Sequence, residues 1–270
     1  MAVVIGSMTS SVLMATSIGA LGGAPGAQAA AAVPVSHAPL MPAPGPRGLH
    51  ATTAAPVPLP TFNWSGYAVT GVGFTSASGQ WTVPTVTPPA KKREHRFSST
   101  WVGIDGYSNS DLIQAGTEQD WSGGIATYYA WWEILPQFET QIPPTQITVH
   151  PGDTMSVSIA QGFPQWTITV SDETTGQSDS IAQSYSGPLT SAEWIQEAPT
   201  VGGRIAPLAH DSTVDFTVAT ANGVDASLSP ADSIEMVRHR KVISVPSSPD
   251  AAGNGFAVAY GSVPPPPPAI

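Results

Sequence analysis

The sequence predicts an all-β protein, built as an antiparallel two-sheet β-sandwich. Three observations point there. Apolar and polar residues alternate with period two in segment after segment, as they do in strands with one buried face. Short stretches bearing Gly, Pro, Asn and Asp separate those segments, and these residues supply the backbone angles that turns need. No segment of helical length carries an apolar stripe at a spacing of about 3.6 residues. Many strands joined by short polar turns bury their apolar faces most simply as two packed sheets.

The elements follow in chain order. Residues 63–69 carry Trp64, Tyr67 and Val69, and 79–83 carry Trp81 and Val83. Residues 99–104 carry Trp101, Val102 and Ile104, and 126–134 are the most aromatic run in the chain. Further strands are read over 154–159, 165–170, 191–197, 213–218, 233–237 and 255–259. Val, Thr, Trp and Tyr dominate these runs because they fit a pleated, half-buried surface. The turns are His150-Pro151-Gly152-Asp153, the stretch 171–176 ending in Gly176, and Ala221-Asn222-Gly223.

Strand parity sorts the side chains into faces. In 127–134, Tyr129, Trp131 and Glu133 share one face, with Tyr128, Ala130, Trp132 and Ile134 on the other. Bulky aromatics on both faces mean that neither is plain solvent: one packs the core and the other lines a groove. In 192–197, Glu193, Ile195 and Glu197 share a face. In 112–116, Leu112, Gln114 and Gly116 do. Gln114 and Glu197 can therefore point into one concave surface.

Composition divides the 270 residues unevenly. No Asp or Glu precedes Glu94, and Arg47 is the one Lys or Arg before Lys91. Residues 1–30 end in an Ala-x-Ala pattern and read as a signal peptide, although the usual basic n-region is missing. The run is too short and interrupted for a membrane span. Residues 31–60 are rich in Pro and Ala, cannot bury enough apolar area to fold alone, and read as a propeptide or linker. A propeptide masking an acid-active site usually carries basic residues, and here Arg47, His37 and His50 qualify. Residues 61–262 hold the globular unit, and 263–270 form a polyproline tail.

The formal net charge of −10 repels phosphate backbones, so nucleic acid is not expected as a partner. An acidic surface also suits work in acid. The chain has no cysteine, hence no disulfide and no thiolate chemistry. The six histidines are dispersed without ligand spacing, so no metal or cofactor is expected. Arg238-His239-Arg240-Lys241 reads as a solvated strand end. His-Glu-x-x-His and Gly-x-Ser-x-Gly are absent, and Asp211-Ser212-Thr213 and Gly152-Asp153-Thr154 lack the Gly of an aspartic-peptidase loop. If this chain cuts bonds, a carboxylate with an amide partner, Glu197 with Gln114, is the best constellation on offer.

Four stretches in consistent order carry a resemblance: Asn63-Trp64-Ser65-Gly66-Tyr67; Trp101-Val102-Gly103-Ile104-Asp105-Gly106 with Ile113-Gln114-Ala115-Gly116-Thr117; Tyr129-Ala130-Trp131-Trp132-Glu133; and Ala192-Glu193-Trp194-Ile195-Gln196-Glu197. They resemble the glutamic peptidases, the eqolisin family of acid endopeptidases (peptidase family G1). The lack of cysteines looks more like the family's bacterial branch than its fungal members. The resemblance implies a concanavalin-like sandwich with a long concave cleft and Gln114 and Glu197 as the catalytic pair. It places Asp105 and Glu133 as supporting or cleft acids and Trp64, Trp101 and Trp131 as cleft-lining aromatics. It implies an enzyme acting on polypeptides; with the signal-peptide pattern the chain is expected to be secreted, a monomer, and without cofactor or membrane partner.

Hydrolysis without metal or covalent intermediate requires that water lose a proton, the oxyanion be stabilised and the leaving nitrogen be protonated. A glutamate can take and return the proton. A glutamine can donate N–H to the oxyanion at every pH while its carbonyl orients the water. Two other readings stand beside this one. The aromatic strands fit a carbohydrate-binding sandwich, and Glu133 with Glu197 fit a glycosidase pair, which would leave Gln114 without a role.

Overall fold

The structure, a computed structural model, describes residues 33–46, 56–91 and 93–269. The expected signal peptide over 1–30 lies outside the described residues, as do Arg47 and His50. Among the described residues thirteen strands have five or more residues. They are β1 (Trp64–Thr70), β2 (Ser76–Thr82), β3 (Ser99–Ile104), β4 (Ile113–Ser122), β5 (Ile125–Ile134), β6 (Thr154–Gln161), β7 (Trp166–Asp172), β8 (Gln177–Gln183), β9 (Ser191–Glu197), β10 (Val214–Ala221), β11 (Ser233–Arg238), β12 (Lys241–Pro246) and β13 (Phe256–Tyr260).

These strands form one antiparallel ladder in the order β8-β7-β6-β2-β10-β13-β12-β11-β1-β9-β3-β4-β5. The ladder folds over on itself, so that β2, β6 and β7 lie against β3 and β4, giving the two layers of a sandwich. Trp81, Trp166, Trp194, Phe216 and Phe256 fill the space between the layers. The Trp194 indole N–H, buried there, donates to the Ser78 carbonyl at 2.7 Å, as a buried indole requires. The expected turns form, with positive φ at Gly152, Gly176, Asn222 and Gly223.

The outer face of β1, β9, β3, β4 and β5 carries a second apolar layer of Trp64, Trp101, Leu112, Trp131 and Ile195. Tyr128, Ala130, Trp132 and Ile134 pack toward the main core, and Trp131 and Tyr129 toward this second layer, as strand parity predicts. Register then assembles the cleft. Gln114 lies opposite Glu133, Gly116 opposite Trp131 and Glu118 opposite Tyr129. Trp101 pairs with Gly116, and Glu197 pairs with Ser99 on one side and Trp64 on the other. Cross-strand partners share a face, so all these side chains stand on one surface. Gly116 is required at its place, because a Cβ there would sit 2.2 Å from the Thr100 carbonyl oxygen.

Three strand segments go beyond the sequence reading. β8 is polar and half-exposed at the ladder's end, so its alternation carries no apolar contrast. β12 runs from Lys241 to Pro246, and a terminal Pro weakens a strand pattern. The second half of β4 contains Glu118, Gln119 and Asp120, all buried. Such a run reads as surface because carboxylates are seldom buried without partners.

The Pro/Ala-rich segment adopts structure by borrowing it. Val35 and Ser36 pair antiparallel with Val201 and Thr200. Leu40 N–H donates to the Gly106 carbonyl at 3.0 Å, and the Leu40 side chain packs on the second apolar layer. Residues 33–46 thus lie across the cleft face of the sheet.

Candidate active site

Glu197 ends β9, fully buried. Its Oε2 accepts from the Trp101 indole N–H at 2.9 Å and lies 3.3 Å from Nδ1 of His37. Its Oε1 accepts from the Asn63 amide at 3.3 Å. Gln114, near the start of β4, is also fully buried. Its Nε2 donates to the His37 backbone carbonyl at 2.9 Å and to Oε2 of Glu133 at 2.9 Å. Its Oε1 has no hydrogen-bond partner among the described residues. The carboxylate and the carboxamide, from two separate strands, therefore meet around one residue of the covering segment.

The other predicted residues divide. Glu133 accepts from the Ser36 hydroxyl and the His37 backbone N–H, both at 2.8 Å. Trp64 donates its indole N–H to the Ala38 carbonyl at 3.0 Å. Trp131 stacks on the His37 ring at 3.7 Å with 10° between planes. Asp105 sits apart from this group. It adopts a φ of 74° and accepts from the Tyr185 hydroxyl at 2.7 Å and the Leu189 and Thr190 backbone N–H groups at 2.9 Å. It anchors the loop entering β9, so its bearing on the pair is through β9's position.

Five residues were not singled out as site groups from the sequence. Asn63 reaches Glu197 as described. Nε2 of His37 lies 3.1 Å from Oε2 of Glu139 and 3.3 Å from Oε1 of Glu118. Tyr129 donates its hydroxyl to Oε1 of Glu139 at 2.8 Å. Glu118 was accessible from parity alone, since it follows Gln114 and Gly116 on the same face. His37, Glu118 and Glu139 are the one grouping among the described residues whose ligand atoms could hold a metal ion, all lying within 4.8 Å of one another.

Burial dominates the electrostatics. It pushes the Glu197 carboxyl above its ordinary range, against the pull of His37, Trp101 and Asn63. It raises Glu133 to about 7, again with His37 opposing. Glu118 is driven well up by burial and then by Asp120 beside it, and burial raises Glu193 in the same sense. Burial alone would discharge His37, but hydrogen bonds to Glu139 and Glu197 outweigh it and hold the imidazolium to about 10. One imidazolium cannot balance every carboxylate around it, so the buried acids retain protons into weakly acidic conditions.

A stability prediction follows from the sign of these shifts. Groups whose folded values are raised stabilise the fold fully below their unfolded values, and that contribution disappears as pH rises through the folded values. Glu133, between an ordinary 4.5 and about 7, alone contributes up to roughly 3 kcal/mol. His210, half-buried with its value lowered by burial and Arg96, opposes this weakly. The melting temperature should therefore fall between about pH 4 and pH 8. A melting temperature that rises across that interval in a thermal scan would contradict the burial of these acids.

The sequence pattern of the Peptidase A4 family matches residues 62–260. Aspergillopepsin-2 from Aspergillus niger is 28% identical over 222 residues, spanning 73% of this chain and 77% of that protein. Scytalido-glutamic peptidase, solved with a transition state analog inhibitor, superposes with a TM-score of 0.62 at 26% identity, covering 74% of this chain and 98% of that one. Aspergilloglutamic peptidase from Aspergillus niger superposes with a TM-score of 0.51 at 28% identity, covering 61% and 99%. These matches separate an enzyme from a carbohydrate-binding sandwich and a peptidase from a glycosidase. With a family match over most of its length, the chain belongs to the Peptidase A4 family and is a glutamic-type endopeptidase.

Proposed function

We propose that the protein hydrolyses peptide bonds in acid, with Glu197 as general base and then general acid and Gln114 as the oxyanion donor. One observation carries this reading: the chain's own peptide lies in the cleft with the His37 carbonyl 2.9 Å from the Gln114 amide and the His37 ring against Glu197. An amide N–H at that distance strengthens its bond as the carbonyl oxygen gains charge. The free Oε1 of Gln114 is an acceptor able to orient a water. Glu197 removes a proton from that water as it adds to the carbonyl carbon, then gives the proton to the departing nitrogen. A carboxyl held above its ordinary range serves both directions of transfer in mild acid. Acid also keeps Glu133 and Glu118 protonated, so fewer negative charges crowd the base.

Residues 33–46 act in this reading as a pro-segment that blocks the cleft until it is displaced. Their antiparallel pairing with Thr200 and Val201 and the backbone contacts of His37 and Ala38 support that assignment, since a polypeptide substrate would use the same main-chain groups. Export belongs to the reading too, on the Ala-x-Ala pattern before residue 31.

The test is digestion of a denatured protein at about pH 4. Cleavage should proceed, and neither a chelator nor a serine-directed reagent should slow it. Inhibition by either reagent, or an intact substrate, would remove this mechanism.

A further inference from the structure

Resting on that reading, we infer that the pocket around the His37 side chain is a specificity subsite, selecting a cationic side chain on the residue that supplies the scissile carbonyl. The backbone fixes the register. His37 N–H donates to Glu133 and His37 C=O accepts from Gln114, so whatever residue takes this place sends its side chain where the imidazole goes.

That pocket is built for positive charge. Its floor is the Trp131 ring, parallel to the imidazole at 3.7 Å, and an indole face attracts cations through its quadrupole. Its far end holds Oε2 of Glu139 at 3.1 Å and Oε1 of Glu118 at 3.3 Å from Nε2. Glu197 closes the near side at Nδ1. Tyr129 holds one oxygen of Glu139 and so aims the other inward. Asp120, also buried, lies beside Glu118; burial leaves both carboxyls protonated in mild acid, and a cation seated against them favours release of the Glu118 proton.

The second observation is Glu118 itself. It is fully buried, and neither of its carboxyl oxygens has a hydrogen bond of good geometry among the described residues. A buried carboxyl left this way is costly unless a donor arrives. Histidine reaches it with a single N–H. The ammonium of lysine or the fork of arginine carries enough donors for Glu118 and Glu139 together. An aliphatic side chain brings no donor to Glu118 and leaves Glu139 with the Tyr129 hydroxyl alone.

The test is to digest a library of denatured-protein peptides with the full chain at about pH 5 and map the bonds cut by mass spectrometry. The residue before the cut should be Lys, Arg or His about tenfold more often than Leu or Gln, relative to their abundance. In Glu118→Gln/Glu139→Gln that ratio should fall close to one, and in Glu139→Gln alone, a change at a partly exposed side chain, it should fall part of the way. Cleavage with no cationic preference in the wild type, or a preference undiminished in both variants, overturns the subsite while leaving the peptidase reading intact. A chain that cuts no peptide overturns both.

Discussion

Glu197→Gln should lower the rate of peptide cleavage by about 10³-fold and leave the protein folded. The substitution keeps the shape of the side chain and one oxygen, which can still accept from the Trp101 indole now 2.9 Å from Oε2, while the longer 3.3 Å bond from the Asn63 amide to Oε1 is lost. In the proposed mechanism it removes the group that exchanges a proton with the reacting water. It also removes a carboxyl whose ionisation is opposed by burial, so the fold loses nothing on that account. Initial rates on a denatured protein, taken beside a thermal scan of the variant, separate the two effects. A variant that melts like the wild type and cleaves within about tenfold of its rate would show that the base lies elsewhere.

Gln114→Ala should lower kcat by about 10²- to 10³-fold, or about 3 to 4 kcal/mol of barrier, with a smaller change in KM. In the proposed mechanism the amide is more than a contact to the ground state. Its N–H lies 2.9 Å from the carbonyl oxygen of the occupying segment, where charge grows during attack. Glu133 holds the same nitrogen at 2.9 Å, so the donor is aimed before substrate arrives. Gln114→Glu offers a finer probe. A protonated carboxyl can donate where the amide did, so part of the rate should return as pH falls below the new group's titration. A rate loss expressed wholly in KM would instead make Gln114 a simple binding residue.

Much of this site could be read from strand parity. The even positions of 112–116 and the odd positions of 127–134 and 192–197 place Gln114, Glu133 and Glu197 on cleft faces, and the register brings those faces together. The turns were legible because Gly152, Gly176, Asn222 and Gly223 adopt the positive φ their identities favour. What escaped had physical reasons. Buried Glu118 and Asp120 imitate a surface strand, since composition cannot distinguish a solvated carboxylate from one held in a cleft. Asp105 shares a motif with the cleft residues, yet its acceptors serve a loop. His37 lies 77 residues before Gln114 in a segment with no strand pattern of its own, and its place is set by the groove it fills.

The central claim is spatial: a scissile carbonyl sits between the Gln114 amide and the Glu197 carboxyl. It is tested most directly by a crystal structure of the protein bound to a peptide whose scissile bond is replaced by a tetrahedral carbinol. The predicted result places the carbinol oxygen about 3 Å from Gln114 Nε2, with Glu197 within hydrogen-bond reach of the same centre. A carbinol seated beyond the reach of either side chain would contradict it.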